Sequence, residues 1–196
     1  MGKRLGAVIL AVLFVATQTG CSAVVAGLAV ATGAVVAMQE RTVGDVIDDA
    51  SILIKLNREL FRYGIFSSVT AKVSEGRVLL LGTVASPEKR MQAEKAAWQQ
   101  KDVKEVVNEI VIEQGAVDLR TYAADSAISA QVRARLVVRA GVKSVNYSVN
   151  TVGGVVYLMG IAQSQKELNT AIAVAKRVRG VKQVISYVRL KYSRLR

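Results

Sequence analysis

The chain is 196 residues long and carries 27 lysines and arginines against 15 aspartates and glutamates, a formal net charge of +12. It has no histidine, which removes the usual general base, the commonest metal ligand and the neutral-pH switch, and a single cysteine excludes an internal disulfide. The charge is lopsided: Val43 to Glu113 holds 10 basic and 11 acidic residues, whereas Leu119 to Arg196 holds 14 basic residues and 2 acidic ones. That asymmetry implies an acidic partner for the second half.

Lys3-Arg4 precede an apolar run, Leu5 to Thr17, and then Gln18-Thr19-Gly20-Cys21. A basic start, a 13-residue apolar stretch and small residues ahead of a cysteine predict a secretory signal over 1–20. The cysteine makes it resemble a bacterial lipoprotein signal, with Gln18 where leucine is usual, so Cys21 is expected to be the lipidated mature N-terminus. Serine rather than aspartate at position 22 then resembles lipoproteins sorted to the outer membrane. Residues 21–42 would form an acylated tether. A retained transmembrane helix is the alternative, because Leu5 to Gln39 is uncharged and long enough to span a bilayer.

Val43 to Glu113 reads as a folded unit. Asp45, Asp48 and Asp49 sit near the start of a predicted helix, where carboxylates suit the dipole, and Ile52, Leu56 and Leu60 mark its buried stripe. Asp48 and Asp49 point about 100° apart on a helix and have no base to work with, so they are not read as a catalytic pair. After Tyr63-Gly64 come a strand over Val69–Val73, a turn at Ser74-Glu75-Gly76 and a strand over Val78–Val84. Ser86-Pro87 opens a second helix whose Met91, Ala93, Ala96 and Ala97 form a close-packing face, and a third strand follows over Val106–Ile112. The order is α-β-β-α-β.

Beyond a linker at 114–123 the pattern returns. The stretch Gly76–Gly82 recurs 78 residues later as Gly154–Gly160, and Ser86, Ala93 and Ala97 recur as Ser164, Ala171 and Ala175. Asp49, Ile52, Leu56 and Leu60 recur as Asp125, Ile128, Val132 and Leu136 once two residues are allowed for. Each copy is about 70 residues and buries a modest core, so mutual support between the copies is expected. The first helix of the second copy carries something extra: Ala127, Ala130, Ala134, Val137 and Val138 form a second apolar stripe opposite the buried one, with Arg133, Arg135 and Arg139 alongside. Such a double-faced basic helix is what a membrane-surface or partner-binding helix looks like. The stripe has no aromatic, which implies shallow insertion. Strands are predicted over Val145–Thr151 and Val155–Ala162. Ser164-Gln165-Lys166-Glu167 reads as a capping box, and Lys176, Arg177 and Arg179 precede a stop at Gly180. A strand over Gln183–Leu190 runs into a basic tail at 193–196.

The order α-β-β-α-β, the glycine-closed strand and the Val-Lys-x-Val-hydrophobic ending of both copies (Val103-Lys104 and Val181-Lys182) resemble the BON domain. The resemblance covers Val43 to about Tyr192. It implies an α+β fold of two tandem domains, 43–113 and 124–192, each with two helices on a small three-stranded mixed sheet. It further implies binding to phospholipid membranes, placed by the family pattern on the first helix of the second copy, Ala127 to Val138. Gly82 and Gly160 match the family's glycines, and with the turn glycines Gly76 and Gly154 they are read as structural.

The sequence thus points to a non-enzymatic, periplasmic lipoprotein of the outer membrane that binds anionic phospholipid through its second copy. No cofactor, metal or nucleic acid is expected. A protein-binding adaptor for an envelope assembly complex is the competing reading.

Overall fold

The computed structural model describes residues 43–113 and 119–192. The expected signal, Cys21 and the tether lie outside the described residues, as do 114–118 of the expected linker and the tail at 193–196.

In the first copy, α1 (Val43–Arg62) leads to β1 (Val69–Ser74), β2 (Arg77–Val84), α2 (Pro87–Trp98) and β3 (Glu105–Ile112). In the second, α3 (Leu119–Val137) leads through a 3-10 turn (Ser144–Asn146) to β4 (Tyr147–Val152), β5 (Val155–Ala162), α4 (Gln165–Lys176) and β6 (Gln183–Leu190). Each copy forms a mixed sheet: β2 lies antiparallel to β1 and parallel to β3, and β5 lies antiparallel to β4 and parallel to β6. Both registers place a glycine opposite the first residue of the hairpin's opening strand, Val69 with Gly82 and Tyr147 with Gly160. The fold is α+β, in two tandem copies.

The helices cover one face of each sheet. Ile52, Leu56 and Leu60 of α1 pack with Ala93, Ala96 and Ala97 of α2 over Val78 and Leu80. Ile128, Val132 and Leu136 of α3 pack with Leu168, Ala171 and Ala175 of α4 over Val156 and Leu158. The alanines let each second helix lie close on its strands. Met91, expected on that face, is exposed instead.

Because side chains alternate along a strand, Leu79 and Leu81 point away from the helices of the first copy, as Tyr157 and Met159 do in the second. These four form a third core between the two sheets, with Val107, Val152, Val155, Ile185 and Tyr187 packed against it. The layers run helix, sheet, sheet, helix. Leu79 and Tyr157 are equivalent positions in the repeat, as are Leu81 and Met159, so the seam is pseudo-symmetric and self-complementary. Polar contacts fix it at its edges. Arg77 Nη1 donates to the Tyr187 carbonyl at 2.9 Å, Arg189 pairs with Glu75, and the Tyr187 and Tyr157 hydroxyls donate to Glu109. The support expected between two small copies is this seam.

Three local expectations need correction. The helix of the second copy starts at Leu119, inside the stretch read as linker. β4 starts at Tyr147, because Ser144–Asn146 closes a 3-10 turn first. Ser164 does cap α4, accepting from Glu167 N–H at 3.2 Å, but Glu167 does not reach back to Ser164. Its carboxylate accepts from the N–H groups of Gln163 (2.7 Å) and Lys143 (2.8 Å), tying the helix start to the loop after α3.

Candidate functional site

Residues the two copies share build the skeleton on which any site rests. In the first copy Asp49 accepts from the Glu75 and Gly76 N–H groups at 2.8 Å each; in the second, Asp125 accepts from Gly153 at 2.7 Å and Gly154 at 2.8 Å. The repeated aspartate therefore clamps the first helix to its hairpin turn, a different role from compensating a helix dipole. Gly82 and Gly160 adopt φ of +131° and +137° within β2 and β5. A Cβ would stand 2.0 Å from Ser68 O in the first case and 1.9 Å from Asn146 O in the second, so both positions need a residue without one. At Gly76 it would meet Asp102 O at 2.7 Å, and at Gly154 it would meet Gly180 O at 3.1 Å.

On that skeleton α3 turns one face to its core and the other to solvent. Ile128, Val132 and Leu136 are buried, while Ala127, Ala130, Ala134, Val137 and Val138 are exposed, the two valines by 68% and 83%. The structure thus brings the expected stripe together on one surface. It also lengthens it. Leu119 lies on the same line as Ala130 and Val137 at 100° per residue, and Tyr122 stands on its flank. Both are open to solvent, by 81% and 65%. The sequence expectation omits them because it places 114–123 in the linker. Tyr122 also supplies the amphipathic aromatic that the stripe was expected to lack.

The three arginines are exposed but held differently. Arg133 Nη1 donates to the Val149 carbonyl at 2.9 Å, and Arg135 Nη1 donates to the Arg177 carbonyl just past α4, at 3.0 Å. Arg139 lines a groove of about 500 Å³ that runs along α4 from Lys166 to Arg177, with no carboxylate in its lining. Cations thus flank the apolar face of α3. In the first copy, α1 also shows an outward apolar line, Ile47, Ile54 and Phe61, with Phe66 set edge-on to Phe61 at 6.5 Å. Its basic residues are offset by acidic ones; Arg62, for example, pairs with Glu59 at 3.0 Å.

Among the described residues no helix is long and apolar enough to cross a membrane, and no three of His, Cys, Asp and Glu gather as a metal cluster would require. The fold and faces define a duplicated α+β protein with one basic amphipathic surface and a tightly packed seam. The sequence matches the BON domain family over residues 48–114 and 124–192, and the chain belongs to that family. It is 71% identical over 150 residues to a protein of Anaplasma centrale described as "Uncharacterized protein in gshII 5'region", covering 76% of this chain and 99% of that one. It is 32% identical to the outer membrane lipoprotein DolP of Haemophilus influenzae, over 93% of each chain. It is 30% identical to osmotically-inducible protein Y of Escherichia coli, over 76% of each.

Proposed function

We propose that this chain is a lipid-anchored protein of the bacterial envelope that binds anionic phospholipid through the outward face of α3 and supports envelope integrity. The observation that carries the reading is the coincidence, on one helix, of an exposed apolar line from Leu119 to Val138 with arginines beside it, in the half of the molecule that holds the excess positive charge. A face of that kind lies in the headgroup plane, with apolar side chains entering the acyl boundary and cations meeting lipid phosphates. Each basic residue near an anionic surface contributes about 1 kcal/mol, so Arg133, Arg135 and Arg139 together matter. Tyr122 suits the interface, where a ring is buried and its hydroxyl stays wet.

Attachment is then at two points, acyl chains on Cys21 and the face of α3. The kinship with a protein named as an outer membrane lipoprotein supports the anchor. Replacing Cys21 by serine should abolish incorporation of labelled fatty acid; equal incorporation in the variant contradicts the anchor. The role is one of binding, since a chain without histidine offers no nucleophile–base pair of the usual kind.

Flotation of the fragment 43–196, which retains all three cores, tests the membrane contact. The fragment should rise with phosphatidylglycerol vesicles at low salt, less at high salt, and stay behind with phosphatidylcholine. Equal flotation with both lipids, or none, contradicts the reading. One observation favours a second reading, a protein-binding adaptor: α1 exposes Ile47, Ile54 and Phe61 on a copy with no excess positive charge, which suits a protein surface better than an anionic bilayer. A partner retained after high-salt washing and lost with Phe61→Ser is its signature.

A further inference from the structure

The seam between the copies opens on one side into a cleft of about 310 Å³, lined by Lys72 and Ser74 of β1 and by Arg133, Asn146, Ser148 and Asn150 of the second copy. Its lining includes no carboxylate. Two cations, one from each copy, therefore face the same space without an opposite charge between them. Burial, and the Arg133 guanidinium beside it, hold the Lys72 amine below its ordinary value. Nearby carboxylates are committed elsewhere. Asp125 is taken by the turn amides of Gly153 and Gly154, and Glu75, next to Ser74, is taken by Arg189.

Neither cation belongs to the duplicated skeleton. Lys72 corresponds to Asn150 in the second copy, and Arg133 corresponds to Asn57 in the first. The same fold thus forms with a neutral residue at each position, so fold stability alone does not call for a positive charge at either. Holding a half-buried ammonium beside a second, exposed cation is costly unless an anion comes between them. The bond from Arg133 Nη1 to the Val149 carbonyl anchors the guanidinium at the rim and leaves its other N–H groups for a ligand. Arg133 also borders an apolar groove of about 170 Å³ lined by Leu136, Val137 and Val145. A charged cleft and an apolar groove thus meet at one arginine.

We propose that this cleft binds a phosphate ester, with Lys72 and Arg133 as its cationic ligands and Ser148 and Asn150 as neutral ones. A guanidinium and an ammonium suit a tetrahedral oxyanion carrying one or two negative charges, which both can approach at once. The recognised chemistry is the phosphate ester, whether a lipid or a soluble molecule carries it. The inference deepens the membrane reading by bringing the first copy into the contact, and its readout is separate from vesicle binding.

The test is amine-reactive labelling of the full chain, read at Lys72 by mass spectrometry. The chain is held in uncharged detergent with glycerol 3-phosphate or with sodium chloride of equal ionic strength, and separately reconstituted in phosphatidylcholine vesicles with or without phosphatidylglycerol. Lys72 should label at least five-fold more slowly with a phosphate ester, while exposed Lys55 keeps its rate. Protection by glycerol 3-phosphate assigns the site to soluble esters as well; protection by phosphatidylglycerol alone assigns it to a lipid headgroup. Arg133→Gln should abolish the protection and Arg133→Lys should retain part of it. Unchanged labelling of wild-type Lys72 in both settings overturns the proposal. If the fragment floats as expected while Lys72 labels at a constant rate, the cleft falls and the membrane reading stands; protection without flotation gives the reverse.

Discussion

In α1 the outward line is Ile47, Ile54 and Phe61; at the equivalent positions of α3 it is Ala123, Ala130 and Val137. Beside that line the first copy has Asn57, Glu59 and Tyr63 where the second has Arg133, Arg135 and Arg139. Beneath it the two helices are alike, with Asp49, Ile52, Leu56 and Leu60 matched by Asp125, Ile128, Val132 and Leu136, all buried. On these helices the buried positions are alike between copies, and the positions that face solvent differ. The face of α1 is bulkier and carries Glu59; the face of α3 is less bulky and carries more cations. The divergence separates what the molecule needs to fold from what it offers to a partner.

The largest expected effect tests the shared part. Gly82→Val and Gly160→Val each force a Cβ into a backbone carbonyl, and each should cost about 3–5 kcal/mol in denaturant unfolding of the fragment 43–196. A small effect in one copy and a large one in the other would break the equivalence of the two skeletons. The next concerns the part that differs. Changing Arg133, Arg135 and Arg139 together to glutamine should weaken binding to phosphatidylglycerol vesicles by about 3 kcal/mol at low salt, roughly 100-fold, and by much less at high salt. Changing Lys55, Arg58 and Arg62 of α1 should leave binding unaltered; an equal loss there would move the contact to the first copy. Smaller still, Val137→Ser with Val138→Ser should cost roughly 1–2 kcal/mol of binding, since a valine immersed part-way contributes part of its full burial. Its melting temperature should match wild type because both side chains already face solvent. The separate copies are not suited to these comparisons, because parting them exposes Leu79, Leu81, Tyr157 and Met159.

Much of this was legible in the sequence, for physical reasons. β5 and β6 run over the residues expected, because a glycine pair and a helix-ending glycine bound them sharply. Ser86-Pro87 marks the start of α2 because serine and proline each suit one helical position, and Pro87 is the first helical residue. The double-faced α3 was visible as two apolar stripes. Its first turn was not, since Leu119 to Ala123 precedes the part of the helix that repeats α1's buried stripe, and Tyr122 was lost with it. The aspartate clamp left a trace in the recurrence of Asp49 as Asp125, but hairpin amides carry no side-chain signature. The seam had its own mark: Val78-Leu79-Leu80-Leu81 does not alternate, as befits a strand buried on both faces. What that run could not reveal was which surface would cover it. Lys72 and Arg133 lie 61 positions apart, and only the stacking of the sheets brings them to one cleft.

The central claim, that α3 and not α1 meets the membrane, is tested most directly by placing one tryptophan on each face. With Trp98 replaced by phenylalanine, Tyr122→Trp reports on α3 and Phe61→Trp on α1, each read by quenching with brominated phosphatidylglycerol in vesicles. The account predicts strong quenching and a blue-shifted emission for the tryptophan at 122, with the one at 61 keeping the emission it has in buffer. Quenching at 61 with none at 122 would contradict it.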